Sequence, residues 1–67
     1  MGLTSGTSIM KELIISFQHH VEDEDVRVDL YRDAISALEQ EDWDCPEECL
    51  GKDPAYDTAY YEIYPDA

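Results

Sequence analysis

The alternation of hydrophobic and polar residues in the first half of the chain predicts a β-hairpin. In residues 11–21 the hydrophobic side chains fall mainly on one face of an extended chain: Leu13, Ile15, Phe17 and Val21. A period of two with β-branched residues is typical of a strand. Residues 22–25 are four consecutive acids, which repel one another and favour an exposed loop. A second alternating segment, residues 26–31, completes the hairpin.

The second half predicts one helix and a third strand. Asp33 is a suitable N-cap, and the residues that follow it predict a helix ending near Trp43. Residues 45–55 contain two prolines and one glycine and predict a connection. Residues 58–64 are aromatic and β-branched and predict the third strand. The predicted order is β-β-α-β, an α+β fold with a small three-stranded antiparallel sheet and one helix.

One alternative stays open for the hairpin. A single helix from about Val21 to Trp43 would place on its inner face Val26, Leu30 and Leu38. We adopt the hairpin, with residues 1–10 as a small, polar, flexible leader and residues 11–67 as a single acidic domain. A three-stranded sheet leaves two edge strands and one poorly covered face, which predicts a homodimer.

Charge narrows the range of functions. The 67 residues contain 17 Asp and Glu against four Lys and Arg, a net charge of −13. Such a surface repels phosphate backbones and anionic lipids, so we expect neither direct nucleic-acid nor membrane binding. With two cysteines and no signal-like N-terminus, the expected location is the cytoplasm. A hydrophobic fraction of 43% favours a folded chain despite the charge.

Metal, cofactor and catalytic chemistry find little support in the sequence. Cys45 and Cys49 are one thiol pair without a matching second pair, so we interpret them as small apolar residues near a helix end. The acidic runs lack the glycine and the spacing of a calcium loop. No nucleophile motif or sheltered carboxylate pair is evident, and the chain is predicted to be a non-enzyme without a cofactor.

The acids themselves are the candidate site. Twelve lie between residues 22 and 48, opposed only by Arg27 and Arg32. The candidate partner-binding residues are Glu22, Asp23, Glu24, Asp25, Asp29, Asp33, Glu39, Glu41, Asp42, Asp44, Glu47 and Glu48. Carboxylates ~5–7 Å apart on a helix or strand can imitate a row of phosphates. Solubility requires a net charge of only about 2–8, so this excess suggests a use. Five tyrosines, expected to be exposed, would suit a protein interface.

These features resemble a known group of proteins. The acidic segments EDED (residues 22–25) and EQEDWD (residues 39–44), in so short a chain, are similar to the small acidic bacteriophage proteins that act in host takeover as DNA mimics. Within that group the closest similarity is to Bacillus-phage inhibitors of the bacterial histone-like protein HU. The β-β-α-β order also resembles small phage inhibitors of bacterial RNA polymerase.

Two main functions follow as expectations. The first, implied by the resemblance, is a DNA mimic that binds the DNA-contacting surface of a basic host protein such as HU and blocks its DNA binding. The second is a non-mimic inhibitor or adaptor that binds a basic cleft, as in RNA polymerase, through its tyrosine-rich strand. A weaker third hypothesis is a redox- or metal-responsive element at the two cysteines.

Overall fold

The fold is helical. The computed structural model describes residues 3–43 and 45–66, with side chains from residue 6 onward. Its elements are α1 (Leu3–His20), α2 (Glu24–Glu39), a short 3₁₀ helix (Pro46–Cys49) and α3 (Pro54–Ile63). No strand occurs among the described residues, so the predicted α+β fold with a three-stranded sheet is wrong. The expectation of a homodimer loses the sheet edges on which it was based, and it stays a prediction.

α1 replaces both the leader and the first strand. Hydrophobic residues recur every three or four positions through it and just beyond, at Met10, Ile14, Phe17 and Val21. This spacing places them on one helical face. Met10 and Ile14 are buried in the core, and Gly6 packs against Trp43. Residues 3–10, expected to be a flexible leader outside the domain, therefore belong to the fold.

α2 begins inside the acidic run that was predicted to be a hairpin loop. Asp23 is the N-cap, and its carboxylate accepts hydrogen bonds from the backbone N–H groups of Asp25 and Val26. Carboxylates in the first turn are also favoured by the helix macrodipole. The competing prediction of a helix here was nearer to the structure, and of the three residues that it placed on the inner face only Leu38 is buried. The residues that α2 buries are Tyr31, Ile35 and Leu38, whereas Val26 is exposed.

α3 replaces the third predicted strand. Asp53 accepts a hydrogen bond from the Ala55 N–H as N-cap, and Pro54 occupies the first turn, where its missing N–H costs nothing. Ala55 and Ala59, with Tyr56 and Tyr60, then repeat at four-residue spacing and are all buried. The cap and this spacing outweigh the strand preference of the tyrosines.

The core lies where α2 and α3 pack together, with α1 running across them. Aromatic rings connect the three helices: Phe17 of α1 lies 5.4 Å from Tyr31 of α2, which lies 5.6 Å from Tyr56 of α3, centroid to centroid. The Trp43 indole N–H donates to the Thr7 hydroxyl at 3.0 Å and ties the start of α1 to the end of α2. Among the described residues, no helix has the length and apolar character to cross a membrane.

Candidate partner-binding surface

The predicted acids lie on the surface wherever the structure describes them. Asp44 lies outside the described residues; the other eleven are all exposed. They are distributed along α2, around its C-terminal end and on the 3₁₀ helix. Within α2, Asp25, Asp29 and Asp33 follow one another at four-residue intervals and form one stripe, here called the acidic stripe.

The acidic stripe has a spacing suited to imitating phosphates. Residues one helical turn apart are separated by about 6 Å along the axis, with side chains ~5–6 Å apart. Phosphates of one DNA strand succeed one another every ~3.4 Å along the duplex axis, over a longer path along the backbone itself. The two spacings are of the same order, so side chains that grip successive phosphates can reach successive carboxylates of α2.

The acidic stripe works against helix formation. Aspartate is a poor residue for a helix interior, and like charges one turn apart cost ~0.2–0.5 kcal/mol per pair. Arg32 offsets part of this cost, because it pairs with Asp29 and lies 3.6 Å from Glu62 of α3. Asp33 was predicted to be an N-cap but lies in the middle of α2, where it has no capping role.

The remaining acids divide between helix starts and a helix end. Asp23 caps α2, Glu24 occupies its first turn, and Glu47 and Glu48 occupy the first turn of the 3₁₀ helix. These positions stabilise helices whether or not a partner binds. The acids at the C-terminal end of α2 are Glu39, Glu41 and Asp42. The macrodipole disfavours negative charge there, so these three, unlike Asp25 in the first turn of α2, do not stabilise the helix through the macrodipole.

One acid that the sequence analysis missed is buried. Asp53 is fully buried and accepts hydrogen bonds from the Tyr31 hydroxyl at 2.7 Å and from Arg27 Nε at 3.0 Å. Arg27 also donates to the backbone carbonyl of Val21 at 2.7 Å, just beyond α1. This network joins all three helices. Asp53 followed by Pro54 is a sequence signal for the start of a helix, and it could have identified Asp53 as an N-cap.

The network fixes the charge states of its members. Burial by itself would raise the pKa of Asp53, but the hydrogen bonds from Tyr31, the Ala55 N–H and Arg27 outweigh it and lower that pKa. The hydrogen bond to Asp53 raises the pKa of Arg27. Burial, reinforced by the bond to Asp53, raises the pKa of Tyr31. Because Asp53 is enclosed and paired, it is a structural acid and not part of a partner-binding surface.

The tyrosines do not form the exposed surface that was predicted. Tyr31 and Tyr56 are fully buried, Tyr60 is nearly so and Tyr64 is half-buried. Tyr61, 48% exposed, is the exception. The tyrosine-rich strand proposed as a binding element is instead the inner face of α3. The expectation of tyrosine anchors therefore fails for four of the five.

Charge is unevenly distributed over the molecule. α1 contains one acid, Glu12, and one base, Lys11, so the whole net charge of −13 comes from the rest of the chain. Arg27 and Arg32 are paired with acids. Lys11 and Lys52 instead flank a shallow groove between α1 and the loop before α3. α2 itself contains five acids and two bases, a net charge of −3, so most of the negative charge lies in the segments before and after it.

The cysteine and histidine positions do not build a metal site in the described part of the chain, where no cluster of three or more possible ligands occurs. Cys49 is buried, and burial raises the pKa of its thiol, which lowers its reactivity. His19 and His20 lie at the end of α1 with ring centroids 4.7 Å apart.

Comparisons with protein-family models, curated proteins and solved structures find no match to this chain.

Proposed function

We propose that this protein is an acidic DNA mimic, which binds the DNA-contacting surface of a basic DNA-binding protein and blocks its access to DNA. The observation that carries the proposal is the acidic stripe of α2. Three exposed carboxylates repeat once per helical turn, and their mutual repulsion offsets part of what the first-turn position of Asp25 and the Asp29–Arg32 ion pair contribute to the helix. Solubility alone does not require acids to be aligned on one face.

The acids at the C-terminal end of α2 support the same proposal. Glu39, Glu41 and Asp42 extend the negative surface past the end of the helix. The backbone of Asp42 lies in the left-handed region, with φ +67°, a conformation that aspartate adopts more often than most residues, and its N–H donates to the carbonyl of Glu39 at the end of the helix. The macrodipole disfavours its charge at this end of α2.

The bacterial protein HU is the first target to test. The resemblance to phage inhibitors of HU now rests on chain length and on the acidic segments alone. The expected similarity in architecture no longer supports it, because the fold is helical. The alternative of a non-mimic inhibitor acting through a tyrosine-rich strand is favoured by no observation, since the described residues contain no strand and bury most of the tyrosines.

The experiment is a competition assay. HU is bound to a labelled DNA duplex at about 0.1 M salt, and the protein is added; displacement of the DNA is expected, with loss of the effect at about 0.5 M salt. Replacement of the acidic stripe by asparagine should weaken displacement at least tenfold. A control variant removes the same number of charges elsewhere, on α3 and beyond it: Asp57→Asn, Glu62→Gln and Asp66→Asn.

The two variants separate mimicry from general acidity. If both weaken displacement equally, the effect depends only on net charge and the role of the acidic stripe is wrong. If the protein displaces no DNA from HU, the same assay on basic proteins captured from a bacterial lysate tests the wider class. Failure of DNA to compete with any captured partner would refute the mimic.

A further inference from the structure

A stripe of hydrophobic residues borders the acidic stripe on α2. Each acid of the stripe is followed directly by a hydrophobic residue, so Val26, Leu30 and Ala34 repeat with the same one-turn spacing. Val26 is 45% exposed, and Leu30 and Ala34 are half-buried. Phosphate imitation does not need such a stripe, because the phosphate backbone of DNA offers no apolar counterpart to it.

α1 contains a matching apolar strip. Ile9 is 40% exposed and Leu13 is half-buried, and both line a shallow groove along this helix. The groove is also lined by Ser8, Glu12 and Ser16. The two serines are small, so the surface is recessed beside the larger side chains.

The side of α1 that faces α3 is identified by a hydrogen bond. The Gln18 side-chain N–H₂ donates to the carbonyl of Lys52, in the loop before α3, at 3.1 Å. At about 100° of rotation per residue, Leu13 lies ~140° and Ile9 ~180° around α1 from Gln18. The apolar strip of α1 is therefore turned away from α3.

The side of α2 that faces α3 is identified by an ion pair. Arg32 contacts Glu62 of α3, and Leu30 and Ala34 each lie ~160° around α2 from Arg32. The two helices run in opposite directions, because Trp43, after α2, bonds to Thr7 near the start of α1. Since both strips point away from α3, they lie on one face of the α1–α2 pair. We call it the groove face: Ile9, Leu13, Val26, Leu30 and Ala34.

The exposed border of the groove face is negative. All four bases of the chain lie in its described part, and among them only Arg27 is on this side of α2, ~140° around the helix from Arg32, with a side chain only 13% exposed. Arg27 is held in the network with Asp53, and Arg32 is turned toward α3. Lys11 and Lys52 flank the groove on the other side of α1. The borders of the groove face are the acidic stripe on α2 and Glu12 on α1.

We propose that the element of the target bound by this protein is a basic amphipathic helix. Its apolar side packs on the groove face, and its Lys and Arg side chains extend to the acidic stripe. A helix fits because the apolar and acidic stripes both repeat once per turn, the spacing at which a helical partner presents its own side chains. This inference rests on the proposed function for its acids and adds the apolar contact.

The test uses a synthetic peptide as the probe. It is a helix of leucine and lysine, as long as the 16 residues of α2, with the leucines on one face. A peptide of the same composition, with its order scrambled so that no face is apolar, is the control. Isothermal titration calorimetry with the full chain is expected to give a Kd at least tenfold lower for the patterned peptide.

A matched pair of protein variants locates the contact. Ile9→Ser changes the groove face, and Ile15→Ser makes the same change at an exposed residue of the same helix, beside Lys11 and Gln18. We expect Ile9→Ser to weaken binding of the patterned peptide about tenfold, and Ile15→Ser to leave it unchanged. Far-UV circular dichroism verifies that both variants stay folded.

The results distinguish this inference from the proposed function. Equal binding of the two peptides, or equal effects of the two variants, would overturn the groove face while leaving charge-based mimicry intact. Strong binding of the patterned peptide alone, in a protein that displaces DNA from no target, would support the groove face and refute the mimic. Absence of binding by either peptide would overturn the inference.

Discussion

The buried Asp53 network allows a stability prediction to be worked out in detail. Asp53→Asn keeps the size of the side chain and its ability to cap α3, but removes its charge. The carboxylate accepts hydrogen bonds at 2.7 Å from Tyr31, at 3.0 Å from Arg27 Nε and at 3.0 Å from the Ala55 N–H. The substitution therefore removes the ionic part of a contact shared by all three helices.

The expected loss is a large part of the total stability. Removing one partner of a buried ion pair costs about 3–5 kcal/mol. Arg27 keeps 13% of its side chain exposed, so we expect a value near the lower end, about 3 kcal/mol. A domain of 67 residues has an unfolding free energy of only about 3–10 kcal/mol. The variant should therefore be far less stable than the parent and, at the lower limit, largely unfolded.

The dependence on pH identifies the charge as the cause. The pKa of Asp53 is lower in the folded state than the ~3.9 of an unfolded aspartate. Its contribution is therefore complete above about pH 4 and is lost as the pH falls through the folded-state pKa. The difference in unfolding free energy between parent and variant should be constant from pH 7 to about pH 4 and should shrink below it.

Urea unfolding followed by circular dichroism and Trp43 fluorescence, repeated across this pH range, measures the difference. Tyr31→Phe provides a graded comparison, because it removes one hydrogen bond to the carboxylate and keeps the ion pair; about 1.5–3 kcal/mol is expected. If Asp53→Asn matched the parent at pH 7, or if the difference persisted unchanged at pH 2, the ionic network would not stabilise the fold as described.

Three shorter predictions test the packing and the charge. Gly6→Ala should lower the melting temperature, because the added Cβ would lie 2.5 Å from the Trp43 ring and overpacking costs ~1–3 kcal/mol; Ser8→Ala, at an exposed site of the same helix, should raise it slightly. Tyr56→Phe should lower the unfolding free energy measured in urea by about 1–2 kcal/mol, because the Tyr56 hydroxyl donates a hydrogen bond to the carbonyl of Pro46 at 2.6 Å and its loss leaves that carbonyl without this donor; the exposed Tyr61→Phe should leave the unfolding free energy unchanged. Raising sodium chloride from about 0.05 to 0.5 M should increase the melting temperature by screening repulsion among the acids, and a decrease would contradict this.

The elements of the fold could not be assigned from the sequence because two periodicities overlap. Residues 13–17 contain hydrophobic residues at both two-residue and four-residue intervals, so they fit a strand as well as a helix. Met10 and Val21 would have extended the helical pattern, but the small polar residues before Met10 suggested a leader. In α3 the tyrosines favour a strand, and only the cap formed by Asp53 and Pro54 indicates a helix.

The exposure of the acids was more predictable than the fold, whereas their role in binding stays a prediction. Eleven of the twelve acids are described and all are exposed, as acids with few basic partners should be. The alignment of three of these acids on one helical face was not predictable. Asp25, Asp29 and Asp33 align only if residues 24–39 form one helix, but the predicted elements placed Asp25 in a loop, Asp29 in a strand and Asp33 at an N-cap. The burial of Asp53 was also missed, since it depends on Arg27 and Tyr31 from another helix.

The separation of charge between α1 and the rest of the chain has a consequence for how a complex forms. A molecule that is neutral on one helix and strongly negative elsewhere has a permanent electric dipole. In the field of a basic partner this dipole rotates the protein during approach, so that the acidic segments meet the partner before α1 makes its contacts. We therefore expect salt to slow association much more than it speeds dissociation, because orientation is lost at long range while the contacts themselves persist.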